Sequence, residues 1–264
     1  MASIIDHNGI ERKLGLLPID EETKRVRASQ PSFSDFAGQN GLTIYPRDQW
    51  DDLDNASLRG PEFVNDQRNC SGCVGWSAAG AEMMTRAARG MPFEKLSGAF
   101  VYAHINGGRD AGAMITHAMG AERQFGHCLE SEFDYPKLYL NQIPDAVKQS
   151  ALSRQSRMAY TINSLEEFFT AIMCGFYPQF GVCVGNNFNA FDTHGIAGVT
   201  SGYANHSVCA FGMKRFGSIW CAQTGNSWGK DWGPFRSGWC WINERAIRLD
   251  DAFVHVDAEF TGDQ

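Results

Sequence analysis

The chain has 264 residues, 43% of them hydrophobic and 20% charged, with a formal net charge of −7. That composition suits a folded protein with a sizeable core, as one large domain or two lobes sharing a cleft. No run of about 18 apolar residues is present to cross a membrane, and the negative balance argues against nucleic acid or an anionic membrane as a main partner.

Residues 1–45 are polar and weakly periodic, with turn signals at Gln30-Pro31-Ser32 and Gly38-Gln39-Asn40-Gly41. They read as an N-terminal extension, either a surface arm or a short pro-segment that drapes over a cleft. Met1 to His7 lacks a basic stretch followed by an apolar one, so no secretory leader is expected. One folded domain is expected over 46–264. From Cys73 to about Arg89 the chain is rich in alanine and methionine and free of proline, which predicts a helix ending at Gly90. Phe93 to Phe125 predicts helix, loop and helix, with Gly107-Gly108-Arg109-Asp110 as the loop. Leu165 to Met173 predicts an amphipathic helix capped by Asn163-Ser164. Strand-like runs then cover Gln179–Val184, Ser207–Met213, Ser218–Gln223 and Gly238–Ile242. Helices over about 66–155 and strands over about 156–264 imply an α+β chain with segregated lobes.

Eight cysteines occur, at 70, 73, 128, 174, 183, 209, 221 and 240. Setting one aside as a nucleophile leaves an odd number, unsuited to a disulfide framework. Cys174, Cys183, Cys209 and Cys221 lie in apolar runs and read as small buried hydrophobes. Asn205-His206-Ser207 is a glycosylation sequon, and a glycan there would block the residue read below as a base. Together these favour a reducing, cytoplasmic compartment.

A glutamine, a cysteine, a histidine and an asparagine follow one another in contexts that fit thiol chemistry. Cys73 opens the first predicted helix of the domain, where unpaired N–H groups and the positive end of the dipole stabilise a thiolate. His206 lies 133 residues downstream (206 − 73), a separation suited to a nucleophile and its base. Its imidazolium would lower the thiol's pKa and later protonate a leaving amine. Asn226 would hold the ring's tautomer. Gln67, six residues before Cys73, would supply a side-chain amide to an oxyanion hole beside the Cys73 backbone N–H. Cys70-Ser71-Gly72-Cys73 has neither the βαβ surround of a redox pair nor the second ligand pair of a zinc site, so no metal is expected.

Gln67 to Ala78 resembles the nucleophile segment of the papain family of cysteine peptidases, Gln-Gly-x-Cys-Gly-Ser-Cys-Trp-x-Phe-Ser-Ala, with departures that include Arg68, Ser71, Gly72 and Val74. His206-Ser207-Val208 resembles the family's His-Ala-Val. Asn226-Ser227-Trp228-Gly229-Lys230-Asp231-Trp232-Gly233 matches its Asn-Ser-Trp-Gly-x-x-Trp-Gly. Leu96-Ser97, Gly126 to Ser131 and Tyr135-Pro136 look like bacterial members, and the likeness covers about residues 46–245. It implies a helical lobe and a β-barrel-like lobe with the active-site cleft between them. It implies peptide or protein hydrolysis through a Cys73 thioester, without a metal or organic cofactor. Trp228 would shield the His206–Asn226 contact. Gly112 would lie in the loop that pairs with substrate backbone. Ala204, two residues before the base, would help line the pocket for the second side chain upstream of the cut, its small size leaving room for an apolar group. Secreted relatives bridge the counterpart of Cys70, but no cysteine lies between Cys73 and Cys128 to serve as its partner. Two other readings use the same set: an inactive binding or assembly module, free or within a larger particle, and a thiol acyltransferase.

Overall fold

The computed structural model describes residues 2–55 and 63–256; 257–264, the end of the expected β-rich lobe, lie outside them. The chain opens with a small antiparallel pair, β1 (Ser3–Ile5) and β2 (Glu11–Lys13). Helix α1 (Glu21–Ser29) starts where the Asp20 side chain accepts from the Thr23 N–H, and α2 (Phe33–Gln39) starts at a Ser32/Asp35 capping box. This region is more ordered than its polar composition suggests. Phe33 and Phe36 are buried, with ring centroids 5.7 and 5.1 Å from Phe176, and Phe36 lies 5.0 Å from Tyr160. The Arg27 guanidinium donates to the carbonyls of Ile162, Leu249 and Ala252. Through Arg27, Phe33 and Phe36, α1 and α2 are therefore fastened to the β-rich part of the molecule.

Helix α3 (Cys73–Ala88) runs through the centre, followed by α4 (Gly98–Ile105), α5 (Ile115–Phe125) and α6 (Asp145–Ala151). Its first thirteen residues are all buried, which explains their small, apolar composition. At Gly75 an added Cβ would meet the Gly98 carbonyl oxygen at 2.4 Å, so α3 and α4 touch through backbone. The chain then forms β3 (Met158–Thr161), α7 (Leu165–Met173), β4 (Gln179–Val182), β5 (His206–Phe216), β6 (Ile219–Gly225), β7 (Trp239–Asn243) and β8 (Arg248–Val256). Helix α7 begins at Ser164, whose hydroxyl accepts from the Glu167 N–H. The strands make one antiparallel six-stranded sheet in the order β3-β8-β4-β5-β6-β7. The described pairings leave it open, with β3 and β7 at its edges; barrel-like closure is not among them.

One apolar core lies under the sheet and another surrounds α3, α4 and α5. Between α5 and β8, Glu122 is enclosed by two histidines. Its carboxylate oxygens lie 2.9 Å from His127 Nε2 and 2.7 Å from His255 Nε2, all three residues being buried. All eight cysteines are free. Among the described residues no helix is long and apolar enough to cross a membrane.

Candidate active site

Cys73 is the first residue of α3, behind Gly72 as N-cap. His206 opens β5, and Asn226 follows directly on β6. The His206 Nε2 to Asn226 Oδ1 distance is 2.7 Å. The same oxygen accepts the Ser227 backbone N–H at 2.8 Å, so it is the amide oxygen and His206 Nε2 must carry the proton. That leaves Nδ1 as the basic nitrogen, and it is buried with no hydrogen-bond partner among the described residues. Ser207, next in the chain, turns its backbone N–H toward the Cys73 sulfur. Trp228 lies on the His206 ring, centroids 4.8 Å apart, and is itself buried.

Gln67 is oriented by the same logic. Its Oε1 accepts from Ser227 Oγ at 2.6 Å, and its Nε2 donates to the carbonyls of Cys70 at 2.6 Å and Lys13 at 3.1 Å. Both acceptors are carbonyl oxygens, so the amide nitrogen is the atom presented to the cleft. Ser227 lies inside the Asn-Ser-Trp motif; its role in holding Gln67 is legible only once the two segments are brought together.

The cleft is covered by the chain's own N-terminal segment. Leu16 N–H donates to the Asn205 carbonyl at 3.2 Å. Ala113 N–H donates to the Gly15 carbonyl at 2.8 Å, and Leu17 N–H to the Ala113 carbonyl at 3.0 Å. Gly15 also turns its N–H toward the Cys73 sulfur. The backbone partners of this segment are therefore Asn205 on one side and Ala113 on the other. Gly112, at φ 83°, permits the close approach, since a Cβ there would meet the Gly15 carbonyl oxygen at 2.4 Å. Ala204 borders the side chain of Leu16 at Gly181. Asp110 ties the cover down: its carboxylate accepts from Ser71 N–H at 2.7 Å and Tyr102 hydroxyl at 2.9 Å, and pairs with Lys13 Nζ at 3.2 Å. A segment draped over the cleft is one of the two readings of residues 1–45, but the sequence does not single out residues 13–17. Their one local signal is the apolar run Leu14-Gly15-Leu16-Leu17 in a polar stretch.

Burial under the cover sets the protonation state. Desolvation pushes the Cys73 thiol up to about 11 and the His206 ring down to about 4, against the Asn226 hydrogen bond that favours the charged ring. The covered pair is therefore a neutral thiol and a neutral imidazole. The thiolate expected from sequence is therefore not the state of the covered site.

No family model matches the chain, and no curated protein matches it in sequence. Solved structures do match. Xylellain, a cysteine protease from Xylella fastidiosa, is 18% identical, with a TM-score of 0.70 over 94% of this chain and 98% of its own. The ragweed pollen cysteine protease Amb a 11, in its proform, is 19% identical with a TM-score of 0.68, over 90% of this chain and 74% of its own. The bromelain protease from Ananas comosus, in complex with the E64 inhibitor, is 18% identical with a TM-score of 0.59, over 74% and 93%. With its central helix carrying Cys73, its sheet carrying His206, and Asn226 directly following a strand of that sheet, this chain has the papain-like cysteine-protease fold.

Proposed function

We propose that the chain is a cysteine endopeptidase kept latent by residues 13–17. The observation that carries the reading is the forced proton assignment on His206, which leaves a bare, buried Nδ1 on the residue next to Ser207, whose backbone N–H faces the Cys73 sulfur. In the opened cleft, Nδ1 takes the Cys73 proton and the thiolate attacks a peptide carbonyl carbon. The resulting oxyanion is held by Gln67 Nε2 and the Cys73 backbone N–H. His206 then returns the proton to the leaving amine. The thioester that remains is hydrolysed by a water activated at the same nitrogen. Latency follows from occupancy, because the Lys13 carbonyl already sits on Gln67 Nε2.

Alkylation by an epoxysuccinyl thiol-protease inhibitor, read by intact mass, tests both statements. Native protein gains one adduct, and Cys73→Ala and His206→Ala gain none. Two substitutions open the cover in different ways. At Gly15 a Cβ would lie 1.8 Å from the Ser71 carbonyl oxygen, so Gly15→Ala forces the segment outward. Leu16→Ala removes its anchor without a clash. Each weakens the covered state by about 1–3 kcal/mol, which makes alkylation roughly 10–100-fold faster. An adduct that persists in Cys73→Ala, or none on native protein and either opened variant, rejects the peptidase reading. Equal rates in native and opened chains reject latency.

A further inference from the structure

Four polar groups meet in the interior beside Cys73 and His206. Gln179 of β4 is fully buried, and its Nε2 lies 2.8 Å from the Val74 carbonyl oxygen, 2.8 Å from Ser77 Oγ and 3.3 Å from Ser207 Oγ. The two hydroxyls are 2.7 Å apart, and both serines are buried. A carbonyl oxygen only accepts, so the amide nitrogen is the atom turned toward α3. In the sheet Ser207 stands opposite Gly181 and Gln179 opposite Cys209, which puts Gln179 and Ser207 on one face as diagonal neighbours.

Each partner of the amide supports one member of the catalytic pair. Val74 follows Cys73 in the first turn of α3, and Ser77 lies one turn beyond the thiol. Ser207 follows His206, and its backbone N–H faces the Cys73 sulfur. The amide therefore ties the turn that carries the thiol to the residue after the base. Hydrogen bonds hold such a spacing within about half an ångström. As a device for stability the amide is a poor choice. Its Oε1 is buried without a hydrogen-bond partner among the described residues, a cost that a leucine of similar size would not carry. Ser207 also stands where the family's His-Ala-Val segment has alanine, so the family pattern does not supply this clasp.

We infer that Gln179 is a positioning residue for the reaction, one that sets the spacing of Cys73 and His206 through Val74, Ser77 and Ser207. This rests on the peptidase reading above. With the clasp in place, the imidazolium and the Ser207 N–H both lie where they stabilise the Cys73 thiolate in the opened cleft. Without it, α3 and β5 meet through apolar contact alone, the pair drifts, and the thiolate loses part of that support.

The thiol's own titration tests the role without turnover. The full chain carrying Gly15→Ala is titrated by its ultraviolet thiolate absorbance, and the signal of the same chain carrying Cys73→Ala as well is subtracted. Gln179→Leu raises the Cys73 thiol pKa by at least about one unit, as expected when a thiolate loses one hydrogen bond. It lowers kcat for peptide hydrolysis about 10–100-fold and changes KM less than about threefold. Leucine strands none of the partners: Ser77 and Ser207 keep each other, and Ser77 Oγ still donates to the Val74 carbonyl at 3.2 Å. Ser207→Ala raises the thiol pKa by less, and the double variant is no worse than Gln179→Leu. A thiol pKa unmoved in Gln179→Leu, with kcat falling only as far as the folded fraction in urea unfolding, overturns the inference and leaves the peptidase reading intact. If Gln179→Leu does not fold, Ser207→Ala decides in the same way. If the pKa shifts as stated while the Gly15→Ala chain cleaves no peptide, the peptidase reading fails and the positioning role stands.

Discussion

Replacing Glu122 by glutamine lowers the stability of the fold by about 3–5 kcal/mol near pH 5.5, and by less at alkaline pH, because it takes a buried carboxylate away from the histidine it pairs with, His255. Glu122 lies between His127 and His255, and all three are shielded from water. Desolvation would raise its pKa, but the two rings outweigh it and hold the carboxyl down to about 2, from 4.5. An acid depressed by folding adds stability that is complete above its unfolded value and lost as pH falls through the folded one. His255 moves the other way. Burial lowers its pKa, and the charges of Glu122 and, more weakly, Glu82 raise it above the usual 6.5. Its contribution is complete below the unfolded value and lost as pH rises through the folded one. The two windows overlap between the unfolded values of 4.5 and 6.5, where the difference between native and variant is greatest. Urea unfolding across the pH range measures it. A difference under about 1 kcal/mol, or one flat with pH, would show that the cluster is a neutral packing element.

Gln67→Ala, made in the Gly15→Ala chain so that the cleft is open, lowers kcat for peptide hydrolysis by about 10²–10³. The amide nitrogen already carries a carbonyl oxygen, that of Lys13, at 3.1 Å, the atom type that becomes the oxyanion in substrate. Ser227→Ala acts through Gln67 by freeing its Oε1, and costs about tenfold, within the range for a group that orients a catalytic one. The double variant is no worse than Gln67→Ala, since a residue that only positions another has nothing left to position. Inhibitor alkylation of Cys73 builds no oxyanion and falls far less in both variants. Equal losses in hydrolysis and alkylation would mean that Gln67 supports the loop around Cys70 and not the oxyanion.

The parts legible in sequence were those whose determinants are local. Helix α3 ends at Ala88 with Gly90 at φ 75°, because a proline-free run of small residues followed by glycine has little else to form. Helix α7 and the strands β4 to β7 were likewise readable from period and flanking turns. The N-terminal helices were not, because Phe33 and Phe36 find Tyr160 and Phe176 only across the folded molecule. Strand β3 is four residues long, and β8 carries Asp250-Asp251 in its first half, so neither shows clean alternation. At the site, Cys73, His206 and Asn226 stand in distinctive neighbourhoods of sequence. The hold of Ser227 on Gln67 and the cover over the cleft are contacts between distant segments, and the apolar run Leu14-Gly15-Leu16-Leu17 is their one trace in local sequence.

The burial of Phe33 and Phe36 also governs how the cover competes. Helices α1 and α2 anchor residues 13–17 to the molecule they occlude, so covering is an intramolecular event with an effective concentration on the order of millimolar. Dilution cannot lift the cover, and a substrate must outcompete it at that concentration. A single cut between Leu17 and Asp20 would sever this advantage while leaving the aromatic anchors in the core. The freed peptide would then have to compete at its bulk concentration, and the same contacts that close the cleft in one chain would leave it open in two.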